Sequence, residues 1–291
     1  MQFKHFLLGV IFALIWSSAF PSAKVAVLYA PPFFVLFIRF LFSGLLATIA
    51  AKALGQKMAF SKKDWLLIIS FGVIQNSLYL GLIFLAVTKI DANVSVMIAS
   101  ILPLTVVLFS WILFGSKIRY LGFLGLIIGF LGVLLIMFQR TQAGSEPLGV
   151  FLCFIALLAT TIATLILSKL NIQKNNILMV VGLQMLVGSI ILLPVSYFLE
   201  EWVIKWETNL IIAFFYISIF PGIIAPLIWF YLQREIGAVK FSAFHFLNPF
   251  FGVYLSFVLL GERLSGFDIA GILVITLGLY LVQNSKEAIK K

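Results

Sequence analysis

LAVTKIDANVSVMIASILPLTVVLFSWILFGSKIRYLGFLGLIIGFLGVLL, residues 85–135, and YLQREIGAVKFSAFHFLNPFFGVYLSFVLLGERLSGFDIAGILVITLGLYL, residues 231–281, align without a gap at an offset of 146. Ile90 meets Ile236, Ala92 meets Ala238 and Pro103 meets Pro249. Further along, Gly115 meets Gly261, Lys117 meets Arg263, Gly125 meets Gly271 and Gly132 meets Gly278. Each copy reads as an apolar helix with a proline at mid-length, a short turn, then a glycine-studded helix. The offset is close to half of the 291 residues, so the chain reads as a duplication. A period this long, filled with membrane-length apolar runs, is not that of a solenoid. It is the pattern of a two-halved membrane carrier.

Composition sets the class. With 63% hydrophobic residues, 10% charged residues and a mean hydropathy of +1.18, the chain cannot be a soluble domain. Ten apolar windows are each near the ~20 residues that cross a bilayer core. They are 6–24, 32–52, 64–87, 92–114, 120–138, 148–168, 176–198, 209–232, 238–260 and 268–285. The expected fold is therefore an all-α membrane protein with ten transmembrane helices. Its first five-helix repeat covers 1–139, a linker 140–147, and the second repeat 148–291.

The net charge of +10 is placed for a bilayer and not for nucleic acid. With the N-terminus inside, cytoplasmic ends and loops hold 14 of the 20 Lys and Arg, among them Lys4, Lys52, Lys57, Lys62, Lys63, Lys286, Lys290 and Lys291. The other side holds only Lys24, Lys89, Arg140, Lys205 and Arg263, with most of the acids, including Glu200, Glu201 and Glu207. This asymmetry predicts both termini in the cytoplasm. No basic stripe with interleaved aromatics exists, so nucleic acid is not an expected partner. The apolar run from Phe6 to Trp16 could pass for a signal peptide, but its removal would spoil the five-plus-five symmetry, so it reads as the first helix. Cys153 is the only cysteine, which excludes an intrachain disulfide or a thiolate metal site.

Because each half has an odd number of helices, the second copy enters the membrane from the opposite side. The expectation is an inverted repeat with a substrate site near the midplane, reached alternately from each side. Polar residues within the apolar windows nominate that site. The third window carries Gln75, Asn76 and Tyr79, and Gln75 and Tyr79, four apart, share a helix face. The ninth carries His245 on one face with Ser242 and Pro249, and Asn248 beside them. Trp16, Thr164 and Trp229 lie beside small, hydroxylated or kinked segments and complete the substrate-binding candidates. Pro103, Pro249, Pro221 and Pro226 each remove a backbone donor, and such kinks serve either as packing bends or as cavity walls with free carbonyls. Arg39 and its counterpart Gln184 are read as structural polar residues. Arg39, about seven residues from the outer end, could snorkel or bind carbonyls at a helix end. The glycine stripe Gly122, Gly125, Gly129 and Gly132 reads as close helix packing.

The site is placed between helices 3, 4, 8 and 9, with Gln75, Asn76 and Tyr79 facing His245–Pro249 and no fixed charge taking part. No Asp or Glu falls in the membrane interior, and no phosphate-binding loop or His-Glu-x-x-His helix is present. ATP-driven transport, intramembrane metalloprotease activity, a metal and an organic cofactor are accordingly not expected.

Trp16-Ser-Ser-Ala-Phe through Lys24, Ala30-Pro-Pro with Arg39-Phe, and in each half the mid-membrane Pro103 or Pro249 with Gly115 or Gly261-Glu262-Arg263, carry a resemblance. The chain resembles the ten-helix EamA-type exporters of the drug/metabolite transporter superfamily over Phe6 to Val282. The resemblance implies secondary transport of a small metabolite, with export and an amino-acid-like substrate favoured. Uptake of a vitamin or nucleoside-like compound, a non-transporting scaffold and an intramembrane enzyme stay open at this point. The expected partners are a small-molecule solute and the bilayer, with homodimer formation open. Gly115-Ser-Lys in the first half departs from the Gly-Glu-Arg turn of the second.

Overall fold

The computed structural model describes residues 2–90, 92–116, 119–140, 146–170, 176–252, 254 and 265–285. Every regular element among them is helical. In hydrocarbon an unpaired backbone group costs several kcal/mol, so a chain this apolar must satisfy its peptide groups within each helix. In chain order the helices are α1 (Phe3–Val27), α2 (Pro32–Ala53), α3 (Lys62–Ala86), α4 (Val94–Phe114) and α5 (Tyr120–Arg140). They continue with α6 (Pro147–Leu167), α7 (Ile177–Leu199), α8 (Thr208–Ile236), α9 (residues 238–252) and α10 (Gly266–Asn284).

Among the described residues, eight helices are long and apolar enough to cross a membrane, and α5 adds a shorter apolar stretch, Tyr120–Ile136. The expected windows thus each fall on a helix, although much of the ninth window lies outside the described residues. Lys117, the turn Gly261-Glu262-Arg263, most of the 140–147 linker and Lys286, Lys290 and Lys291 also lie outside them.

Local sequence explains where helices begin and break. Pro32 and Pro147 occupy first turns, where a missing N–H costs nothing. Ser265 and Asp268 form a reciprocal capping box at the start of α10. Gly115, at φ 61°, closes α4 in the left-handed region. The mid-length prolines act as breaks and not as bends within one helix. α4 divides at Ser100–Ile101, so Pro103 starts its second segment. α9 runs as a 3₁₀ turn over Ala243–Leu247 before returning to α geometry ahead of Pro249. α3 and α8 widen into π-turns, Gly72–Tyr79 and Phe220–Ile224. Shifted by 146 residues, the first of these covers 218–225 and contains the second.

Two pairs of equivalent helices form the main contacts between the halves, α2 with α7 and α5 with α10. In each, glycines bring the backbones together. A Cβ on Gly125 would sit 2.8 Å from the Gly278 carbonyl, and one on Gly132 2.9 Å from that of Gly271. A Cβ on Gly44 would meet Leu186 at 2.8 Å, while Gly182 lies against Thr48. In both pairs the numbers rise along one helix as they fall along the other, so the partners run antiparallel.

The helix ends segregate accordingly. At one end, Lys24 Nζ donates to the carbonyls of Val87 and Ile90, and Lys89 pairs with Glu146 at 3.1 Å. There Glu200, just past α7, accepts from the Phe33 and Phe34 amides at 2.8 and 2.9 Å, capping the N-terminus of α2. At the other end, Asn176 bonds Lys57, and Lys169 lies 3.8 Å over the Phe114 ring.

If the glycine crossings set the bundle, Gly278→Ala must push two backbones apart at a cost of about 1–3 kcal/mol. Gly266→Ala, where nothing lies within 4 Å of an added Cβ, should be neutral or slightly stabilising. Thermal unfolding of both variants in detergent tests this, and equal midpoints would contradict it.

Candidate functional site

The π-turn of α3 is what turns three polar side chains inward. Widening the helix by a residue per turn brings Gln75, Asn76 and Tyr79 all to the protein interior, where each is buried. They face a cavity walled by α1, α2, α3, α7 and α8. Its polar lining is Arg39, Gln75, Asn76, Tyr79 and Gln184, and its apolar lining includes Trp16, Phe71, Met185 and Trp229. Pro221 and Pro226 complete it from α8. The cavity has a volume of ≈ 40 Å³. That is room for a few waters; a larger solute enters only if the walls part.

The polar groups divide into paired and unpaired. Asn76 Nδ2 donates to the Gln184 carbonyl at 2.8 Å and to Gln184 Oε1, while Gln184 Nε2 donates to the Val181 carbonyl at 3.0 Å. Asn76 and Gln184 thus fasten α3 to α7. Gln75 is different: at 3% exposure, neither its amide nitrogen nor its oxygen has a protein partner. A buried, unpaired amide costs about 1–3 kcal/mol, which the fold carries at this position.

Arg39 is held by the proline break of α8. Pro221 has no N–H to give to the carbonyl of Ile217, and Arg39 Nε donates to that carbonyl at 3.1 Å. One turn on, Ser43 Oγ donates to the carbonyl of Ser218 at 2.8 Å. The expected binding of carbonyls at a helix end is what the guanidinium does. It does not snorkel, being only 3% exposed, and it stands in the cavity wall. Among the described residues, no hydrogen bond other than that from Nε engages it. The cavity therefore has a fixed cation, contrary to the expectation of an uncharged site.

An aromatic wall faces these groups. Trp16 stacks on Tyr79 at 6.3 Å and 11°, and meets Trp229 edge-on at 5.5 Å. Trp229 is fixed from behind: its Nε1 donates to Gln233 Oε1 at 2.6 Å, and Gln233 Nε2 donates to the carbonyl of Thr164. The Thr164 hydroxyl is spent on its own helix, at Thr160, so Thr164 supports the wall without entering it.

Five nominated residues lie outside the wall. His245 is 2% exposed and sits behind Trp16, among the edges of Phe12, Trp16 and Phe241. Asn248 lies with it, Nδ2 at 3.2 Å from His245 Nδ1, and its carbonyl accepts from Ser17. Pro103, Pro249 and Thr164 are likewise absent from the lining. The cavity shares helices 3 and 8 with the expected one but uses α1, α2 and α7 in place of helices 4 and 9. The physical reason is that His245, in the 3₁₀ turn of α9, falls among the edges of Phe12, Trp16 and Phe241, whereas the polar π-turn of α3 packs on α7 and lines the cavity. Arg39 and Gln184 as wall residues were legible in one respect, since both halves place a polar side chain at that depth.

The model of the EamA-like transporter family matches residues 4–138 and again 147–283. The Bacillus subtilis protein described as "Uncharacterized transporter YvbV" is 28% identical over 98% of this chain and 93% of its own length. The Escherichia coli K12 "Uncharacterized inner membrane transporter YedA" is 25% identical over 97% of this chain and 94% of its own. One solved crystal structure superposes with a TM-score of 0.79 at 19% identity, covering 98% of this chain and 99% of that one, which shows the shared fold.

The two neighbouring amides should respond oppositely to loss of polarity. Asn76→Leu orphans Gln184 Oε1 and should destabilise by about 1–3 kcal/mol. Gln75→Leu removes an amide without a partner and should leave stability unchanged or raised. Unfolding midpoints of the two variants in one detergent check this; a Gln75→Leu loss matching that of Asn76→Leu would refute the division.

Proposed function

The chain belongs to the EamA-like transporter family, and from that premise we propose that it carries a small polar or amphipathic metabolite across the cytoplasmic membrane by alternating access. Export and a preference for amino-acid-like solutes follow from the resemblance. The observation that carries the reading is the cavity itself. It is buried, it holds an amide without a protein partner and a cation, and it lies mid-way along α3 and α8 where both helices widen into π-turns. Irregular backbone at membrane depth is tolerated where it lines such a cavity.

Two halves of five helices in inverted orientation are the machinery of this proposal. Supporting it are the antiparallel crossings of α2 with α7 and of α5 with α10, the two family matches, and the π-turns at equivalent positions. Rocking one half against the other about these crossings would open the cavity to each side in turn. The polar groups then exchange hydrogen bonds with the solute for those it had with water.

Purified protein in proteoliposomes, assayed for counterflow of radiolabelled amino acids and of other small metabolites, tests the function; no flux above protein-free vesicles with any solute would reject it. Gln75→Leu should weaken apparent affinity roughly two- to tenfold, the value of one hydrogen bond of about 0.5–1.5 kcal/mol. His245→Gln, behind the wall, should leave transport measurable across pH ~6–8, and complete loss in folded protein would make the histidine central. Both termini are proposed to be cytoplasmic, so a C-terminal reporter active only outside should stay silent.

A further inference from the structure

We propose that the solute received by this cavity is an organic monoanion. Its carboxylate lies against Arg39 and Gln75, and its flat apolar body against the stacked Trp16 and Tyr79. The proposal takes its biological sense from the transport reading, but its binding chemistry stands on the cavity alone.

Charge is the first argument. Arginine stays protonated in proteins, and a guanidinium at membrane depth is costly even on the mildest scales. Such a residue is retained there for interactions worth that cost. Among the described residues the lining contains this one cation and no Asp or Glu. The Ile217 carbonyl takes Nε and fixes the plane of the guanidinium. A planar fork fixed at one edge suits a carboxylate, which it can meet with two parallel N–H donors.

The amide is the second argument, independent of charge. Gln75 is buried with donor and acceptor both unmet, while its neighbour Asn76 is engaged with Gln184. The Gln75 NH₂ can donate to a carboxylate held by Arg39, and its oxygen can accept from a hydroxyl or amide elsewhere on the solute. The aromatic wall is the third. Trp16 and Tyr79 stack nearly parallel, at 11°, with Trp229 edge-on to Trp16, which favours a flat body over a branched one. A zwitterion, the amino-acid-like class that the resemblance alone favours, fits this lining less well. Its ammonium would share a low-dielectric cavity with Arg39, and the wall offers no carboxylate to balance it.

Four probes of one skeleton separate the contributions: 3-phenylpropionate, phenylalanine, phenethylamine and 3-phenylpropanol. Binding to the purified full-length protein in detergent is measured by calorimetry. The propionate should bind at least about tenfold tighter than the alcohol and the amine, and tighter than phenylalanine. Arg39→Gln should erase the carboxylate preference and leave the alcohol's affinity within about twofold. Should that variant fail to fold, Arg39→Lys keeps the charge and loses the fork, and it should reduce the preference several-fold. Gln75→Leu should weaken the propionate several-fold without lowering the unfolding temperature. Equal binding of propionate and alcohol, tighter binding of the amine or of phenylalanine, a preference that survives Arg39→Gln, or no binding of any probe would each overturn the proposal. Counterflow in proteoliposomes keeps the two readings apart. Flux of neutral or cationic solutes that ignores Arg39 would sink the anion and spare transport, whereas tight propionate binding without any flux would do the reverse.

Discussion

A carbonyl without its donor organises the middle of this molecule. Proline at position 221 withholds the N–H that Ile217 would receive in a regular helix, and the surroundings contain no bulk water to replace it. Arg39 supplies the missing hydrogen from α2, and Ser43 serves the next carbonyl. One residue type in α8 therefore fixes the place of a cation that belongs to a different helix. The negative end of the preceding helical segment, Thr208–Ile219, faces the same guanidinium and favours it there. Break, cation and cavity are three consequences of a single covalent fact.

The glycine crossings act at a distance from this site but make it feasible. With α2 drawn against α7 by Gly44 and Gly182, Arg39 reaches α8 and Gln184 reaches the π-turn of α3. Gly72 and Gly188 continue the same approach, their missing side chains leaving room for the Gln184 carbonyl and for Asn76. Larger residues at these positions would separate the helices by more than a hydrogen bond tolerates. Close packing and polar pairing are thus parts of one interface.

Much of this was legible in the sequence, for reasons that differ by level. Helix number and extent are written in apolar run length, which lipid reads directly, and the duplication is visible because Pro103 and Pro249 align with their flanking glycines. Gln75, Asn76 and Tyr79 were found because buried polarity is rare in such a chain. Their division was not legible: that Asn76 is engaged and Gln75 is not depends on a π-turn, and no residue pattern in Gly72–Tyr79 announces one. The placement of His245 depends on packing in the same way. A titratable group in an apolar helix draws attention, yet three aromatic edges and Asn248 enclose it behind Trp16. For Arg39 the sequence leaves snorkelling and carbonyl binding both open, and its place in the wall depends on which helix carries the freed carbonyl, a tertiary fact.

The α5–α10 contact has a property that concerns descent. Gly125 meets Gly278 and Gly132 meets Gly271, and moving each residue to its counterpart in the other half converts the first contact into the second. A contact that maps onto itself under such an exchange is isologous, the relation found in two-fold symmetric dimers. A half-length ancestor bearing one glycine stripe would already have owned both faces of this interface, and so could have paired with an oppositely inserted copy of itself. Gene fusion would then have needed no new surface. It would have needed only a linker between the two copies.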